Sequence, residues 1–374
     1  MLKIQEFILA HENWRELLAA EPYNLKISED DGFVLFKYSQ IASDFSQEIC
    51  REARGLILDS TDNFKVVRMA FKKFFNIGES FAAKIDWDSA VGTEKLDGSI
   101  MSVWYGRGKW RLSTNSTIDA FKAELAGVGP YKTFGELFES VLPLSTFANY
   151  NKHRCWTFEL VSPYNKVVID YPETKVYLLS VRDMNSLEEL NLDAVEMLAD
   201  ANGLAVPERY YLNNEADYRK IVEHMPEGHE GIVVRDANGE RVKIKTLLYF
   251  ELHRAKNNGV LTLERIVDLI RANEQSEFLS YFPEYQPIFD DVQHQLDNIG
   301  EIVEEIRRIV IFWKLANEFE EDKRKIRKLF AQYVGKSKYA HLFFAEYDGR
   351  LTSVKSLETK KLISLFDIKL KEDI

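Results

Sequence analysis

Cysteine is scarce: 374 residues contain only Cys50 and Cys155. Neither stands in a paired Cys or Cys/His metal spacing, so no zinc site is expected. The count suits a reducing compartment and supplies no disulfide framework. Long apolar runs are missing too, and no stretch is long enough to cross a bilayer. Residues 1–20 are interrupted by Lys3, Glu6, His11, Glu12, Arg15 and Glu16. They read as an amphipathic helix carrying Ile4, Phe7, Ile8, Trp14, Leu17 and Leu18, not as a signal peptide. A cytoplasmic protein without a membrane partner is the expectation. Positive charge is not in excess either: the formal net charge is −11. That argues against an overall basic surface held on nucleic acid, while a local cationic groove stays open. Gly-x-x-x-x-Gly-Lys-Ser/Thr, Gly-x-Gly-x-x-Gly and His-Glu-x-x-His are all absent. Any phosphate handling must therefore come from cations borne on strands.

What is present falls into two textures. From about residue 30 to 250, short apolar or alternating runs alternate with turn residues. They predict strands over 33–38, 55–58, 102–105, 110–113, 156–161, 166–169, 176–181, 231–234 and 241–245. Helical spacing marks 117–125, 134–142, 187–201 and 215–222. This is an α+β mixture without regular β-α-β alternation, which disfavours a doubly wound parallel sheet. Beyond about residue 250 helical periodicity takes over, at 261–272, 288–313, 319–333 and 355–370. Ile288, Val292, Leu296, Ile299, Val303, Ile306, Val310 and Trp313 form one stripe. The expected organisation is a domain over 1–250 and a helical domain over 251–374.

The strongest chemical signal is Glu94-Lys95-Leu96-Asp97-Gly98-Ser99, read with Lys243-Ile244-Lys245 far downstream. Asp-Gly is a favoured hairpin dipeptide, so an ordinary turn is one reading. The other makes Lys95 an amine nucleophile toward the α-phosphate of a nucleoside triphosphate; neighbouring positive charge or desolvation would help it lose its proton. Alternation puts Arg241, Lys243 and Lys245 on one strand face. Such a face is usually solvated, with charge that discourages edge pairing; alternatively it clamps phosphate oxygens. Glu159 interrupts an apolar strand and is costly there if buried without partners. It is either exposed or has a task, such as holding a ribose hydroxyl. Glu230 sits at the mouth of another apolar strand, where a hard cation would prefer oxygen ligands. Arg54 and Lys73 place cations beside a strand and an aromatic pair.

In chain order, Arg54-Gly55, Lys73-Phe74-Phe75-Asn76, Lys95-x-Asp97-Gly98-Ser99, Phe158-Glu159, Glu230-Gly231 and Lys243-x-Lys245 resemble the motif set of covalent nucleotidyltransferases, the superfamily of DNA ligases, RNA ligases and mRNA capping enzymes. Ala53-Arg54-Gly55, Lys73–Asn76, Phe158–Val168 and Lys243–Lys245 resemble the bacteriophage RNA ligase 1 family in particular. The resemblance implies an antiparallel-sheet catalytic domain of the DNA/RNA ligase type, followed by an all-helical domain concerned with RNA. It implies an ATP-dependent RNA ligase working with Mg²⁺. Such an enzyme joins 5′-phosphate and 3′-hydroxyl RNA ends through lysyl-AMP and an RNA-adenylate, on a substrate such as a cleaved tRNA. If a phage encodes it, the host cytosol is its place. Lys95 would carry AMP, and Tyr38, Arg54 and Lys73 would contact the nucleotide. Glu159 would hold ribose, Glu230 would help place the metal, and Lys243 and Lys245 would grip the α-phosphate. One departure is Asn115, in Ser113-Thr114-Asn115-Ser116, where the family often has a cation. The alternatives are a DNA ligase, a GTP-dependent capping-type enzyme and a catalytically idle RNA-binding module. No oligonucleotide-binding barrel is recognisable after Lys245, which counts against the first two.

Overall fold

The computed structural model describes residues 1–39, 42–125, 129–165, 169–226, 228–246, 261–271, 275, 278–279, 285–317, 322–337, 339–349 and 359–370. It divides into two compact units, Met1–Val260 and Leu261–Ile374.

The first unit is built on three sheets. Strands β1 (Lys26–Asp30), β2 (Phe33–Lys37), β3 (Arg54–Asp59) and β4 (Lys65–Arg68) form an antiparallel meander. Helices Lys3–Ala10 and Trp14–Ala19 bury Ile4, Ile8, Trp14 and Leu18 with its apolar residues. The single N-terminal helix of the sequence reading is thus two, since the backbone at His11 is extended. Glu52 secures the first one: its carboxylate accepts the N–H groups of Lys3 and Ile4 at 3.3 and 3.0 Å, two of the donors a helix start leaves unpaired.

The second sheet has the order β10-β9-β7-β8, with β7 Ser99–Gly106, β8 Lys109–Thr114, β9 Arg154–Val161 and β10 Lys175–Asp183. Trp156, Phe158 and Leu160 of β9 enter its core with Met101, Val103 and Leu178. Third comes a five-stranded sheet, β11-β6-β12-β13-β5: β5 is Phe75–Asn76, β6 Val91–Glu94, β11 Arg209–Tyr210, β12 Gly231–Arg235 and β13 Arg241–Lys245. All its pairs are antiparallel except β13 with β5. Ile232, Val234, Val242 and Ile244 cover Tyr218 and Val222 of helix Glu215–Glu223.

Two expectations change. The helix predicted over 117–125 is only a 3₁₀ turn at Ala120–Lys122, with Asp119 capping Phe121. The helix predicted from 187 starts at Leu192, capped by Asn191. The strand expected at 166–169 falls largely on residues 166–168, outside the described set.

In the second unit the long helix Gln286–Ala316 buries Phe289, Val292, Ile299, Val303, Ile306 and Val310. Pro287 sits in its first turn, where a missing N–H costs nothing. Helices Leu263–Arg271, Lys323–Val334, Ala340–Tyr347 and Thr359–Phe366 complete the described part. The third of these, Ala340–Tyr347, was not anticipated.

Candidate active site

Lys95 stands one residue past β6. Its N–H donates to the Gly231 carbonyl at 2.8 Å, which fixes the backbone to β12. Its Nζ lies 2.5 Å from Glu230 Oε2, and Lys245 Nζ lies 3.4 Å from Glu230 Oε1. Glu230 directly precedes β12, where Gly231 has φ +143° and a Cβ would stand 2.1 Å from the Ile244 carbonyl oxygen. Glycine alone lets the strand begin that close to β13. Lys95, Glu230 and Lys245 therefore meet because three neighbouring strands end at one level of one sheet.

The Asp97-Gly98 dipeptide is not a hairpin. It follows β6 in the five-stranded sheet and leads into β7 in another. A Cβ on Gly98 would sit 2.3 Å from the Leu160 carbonyl oxygen, so glycine is needed for close approach to β9. Asp97 is buried; its Oδ2 accepts the Ile169 N–H at 2.7 Å, and its own N–H donates to the Tyr171 hydroxyl at 3.0 Å. These contacts hold the crossing segment in place.

Strand β9 is interior, between β10 and β7, with Glu159 opposite Ile100 and Tyr177. Phe158 and Leu160 point into the core, so Glu159 takes the other face. It is buried rather than solvated. Burial pushes its carboxyl up to about 8; Lys95 pulls it down, Glu230 pushes it up, Arg54 pulls it down and Asp97 pushes it up. Glu230 behaves oppositely. Burial raises it, but Lys95, Lys245 and Lys243 outweigh that and keep it ionised below the usual range.

These residues line one cavity of about 340 Å³, within the range of small-molecule sites. Of the predicted site residues, Arg54, Lys95, Glu159, Glu230, Lys243 and Lys245 line it. So do Arg209, Arg235 and Arg241, and the cations outnumber the lining carboxyl groups Glu94, Asp97, Glu159 and Glu230. Leu178, Val195, Val206 and Pro207 give an apolar wall. Arg54 Nη1 is buried without a hydrogen-bond partner, and the guanidinium lies over Phe74 and Phe71 at 4.9 and 5.8 Å. A buried donor left unpaired is costly and suits an incoming anion.

Tyr38 and Lys73 are not among the lining residues. Lys73 Nζ instead lies 5.4, 5.2 and 5.3 Å from the ring centres of Tyr38, Phe45 and Phe75, a cation–π cage. Asn115 accepts from Arg68 Nη2 at 2.7 Å. Arg68 is fully buried, its guanidinium pushed down to about 10 by that burial and donating to the Gly55 carbonyl. Asn115 thus orients a buried arginine behind Arg54.

Sequence reasoning missed Arg235 and Glu189. For Arg235 a signal existed: it shares the alternating face of Gly231 and Val233 and pairs in register with Arg241. Glu189 gave none. It lies in what read as a helix start, yet its side chain is only 7% exposed; it accepts from Arg182 at 2.7 Å and from Arg241, and pairs with Arg235 at 3.4 Å.

A match to the RNA ligase family model spans residues 52–253. The chain belongs to the RNA ligase family. That bears out the motif-based resemblance to the bacteriophage RNA ligase 1 family, and with it the reading of the chain as an enzyme. The RNA ligase of Rhodothermus phage RM378 is 27% identical over 395 aligned positions, covering 88% of this chain and 88% of that one. RNA ligase 1 of bacteriophage TS2126 is 30% identical over 220, covering 56% and 53%. Among solved structures, an archaeal ATP-dependent RNA ligase has a TM-score of 0.47 at 15% identity, covering 94% of this chain and 82% of that one. The enzyme's matched region contains every predicted site residue except Tyr38.

Proposed function

We propose that the enzyme seals RNA ends using ATP, through an AMP carried on Lys95. The observation that carries this reading is Lys95 beside Glu230 and Lys245 at the end of a rigid sheet, opening on a cation-rich cavity. Lys95 Nζ, once deprotonated, attacks the α-phosphorus. The new P–N bond forms as the bond to the bridging oxygen breaks, and pyrophosphate leaves with that electron pair. Lys243 and Lys245 stabilise the α-phosphate oxygens, and Glu159 holds the ribose. AMP then passes to an RNA 5′-phosphate, and a 3′-hydroxyl displaces it to complete the phosphodiester.

Among the described residues no group of three or more His, Cys, Asp or Glu side chains could cage a metal. The donor set fits Mg²⁺ held mainly by phosphate oxygens with Glu230 as a protein carboxylate, a usual arrangement for that ion. Bound there, it would supply charge neutralisation for the phosphates.

Intact-mass measurement after ATP and Mg²⁺ tests the reading. Wild type should gain one AMP and Lys95→Ala none. Lys243→Ala and Glu159→Ala should form the adduct about 10²–10³ times more slowly. An adduct on Lys95→Ala, or one formed from GTP alone, overturns the assignment.

All cavity-lining residues fall between Arg54 and Lys245. We therefore assign the helical unit to RNA choice, with a cut tRNA stem-loop as the substrate inferred from family resemblance. Protein ending near residue 254 should still form the adduct and lose any preference for a nicked stem-loop over a plain single strand. A preference kept after truncation removes that role.

A further inference from the structure

We infer that Arg241, held by Glu189 and stacked on Phe71, seats the leaving pyrophosphate, and that Glu189 is a positioning residue for it. The inference rests on the nucleotidyl-transfer reading above.

The face of β13 carries Lys245, Lys243 and Arg241 in a row. Alternate residues of a strand are about 6.6 Å apart, so Arg241 lies about 13 Å along the strand from Lys245. That is too far for both to serve one phosphate. With Lys245 at the Lys95 end, Arg241 faces a different part of the bound anion. In-line displacement puts the leaving group on the side of the α-phosphorus away from the lysine nitrogen. Arg241 is already shaped for a fixed oxyanion. Its guanidinium lies over Phe71 at 4.8 Å, a ring it shares with Arg54. One terminal nitrogen donates to the Gly239 carbonyl at 3.1 Å and the other to Glu189. Two bonds leave most of the guanidinium's five N–H donors for a ligand.

Glu189 sits behind this wall and joins it to the neighbouring sheet. It accepts from Arg241 of the five-stranded sheet and from Arg182 and the Ser180 hydroxyl of β10, the last at 2.7 Å, and it forms an ion pair with Arg235 at 3.4 Å. One carboxylate among three nearly buried guanidiniums leaves local positive charge in excess. Two of those residues, Arg235 and Arg241, line the cavity, as does Arg54, whose buried Nη1 has no hydrogen-bond partner. A pyrophosphate chemically matches that excess, and bidentate arginine geometry is suited to phosphate oxygens.

The experiment runs the step backwards with inorganic pyrophosphate as the probe. Adenylylated full-length enzyme is discharged by pyrophosphate: the P–N bond breaks, ATP forms, and Lys95 recovers its proton. Arg241→Gln should need at least about tenfold more pyrophosphate for half-maximal discharge than wild type, the scale of a lost charged hydrogen bond. Arg241→Lys should recover part of this, since charge returns without the fork. Glu189→Gln should shift in the same direction. Sealing of a synthetic 5′-adenylylated RNA involves no pyrophosphate and should change far less. An unchanged pyrophosphate requirement overturns the inference, and so does an equal fall in discharge and sealing, the mark of a merely structural role. Absence of any adduct in wild type is a different result: it removes the nucleotidyl-transfer reading itself.

Discussion

Two glutamates sit at opposite ends of the β12–β13 pair and are surrounded differently: Glu230 directly precedes β12, and Glu189 reaches Arg235 and Arg241 from the segment between β10 and helix Leu192–Asn202. Glu230 meets lysines, Lys95 and Lys245. Glu189 meets arginines, Arg182, Arg235 and Arg241. Both are held ionised, in each case because nearby cations outweigh burial. The cations decide what each end can do. A lysine is a point charge on a flexible stem, able to lose its proton and act as a nucleophile; an arginine stays charged and presents a rigid fork. The Glu230 end therefore suits bond making, and the Glu189 end suits fixed geometry. Lys95 is also the more accessible partner, its side chain 22% exposed against 10% for Arg241.

The contrast is broken most severely by removing each glutamate. Glu189→Ala leaves three nearly buried guanidiniums without their carboxylate. Breaking a buried pair by deleting one partner costs about 3–5 kcal/mol, and that is the loss expected in denaturant unfolding. Glu230→Ala should cost less than half as much, because water can reach Lys95 and solvate the charge left behind. Equal losses would mean that the lysine end is as closed to water as the arginine end, and the distinction would fall.

How much of this was legible differs between the two ends for a physical reason. Lys95, Glu230 and Lys245 lie next to strand ends in short motifs, and alternation alone puts Lys243 and Lys245 on one face. For Glu159 the apolar residues around it left two readings open, an exposed face or a task, and the fold decides for burial. Glu189 contacts partners 7, 46 and 52 residues away in sequence, and no local pattern encodes that. The Asp97-Gly98 pair misled in part: the dipeptide suits a hairpin, but the strands on either side belong to different sheets. Glycine is required there by the Leu160 carbonyl, which only the fold reveals. The long helix Gln286–Ala316 was readable because its stripe repeats over many turns. Helix Ala340–Tyr347 has no such stripe, being apolar over most of its length.

A smaller effect sharpens the comparison through a third buried glutamate. Glu159 has no cation within ion-pair distance among the described contacts, and burial pushes its carboxyl up to about 8. In the unfolded chain a glutamate titrates near the usual value of about 4.3. Between these two values the folded protein binds the extra proton, so stability falls as pH rises through that window. This is opposite in sign to Glu230 and Glu189, whose carboxyl groups lie below the usual range and whose contributions are lost on acidification. Glu159→Gln keeps a neutral side chain of nearly the same shape at every pH. Its melting temperature should equal that of wild type near pH 5 and exceed it by a few degrees near pH 9. Parallel pH profiles for the two proteins would show that Glu159 ionises in the folded state as freely as in water, and that burial without a paired cation does not distinguish it from the other two.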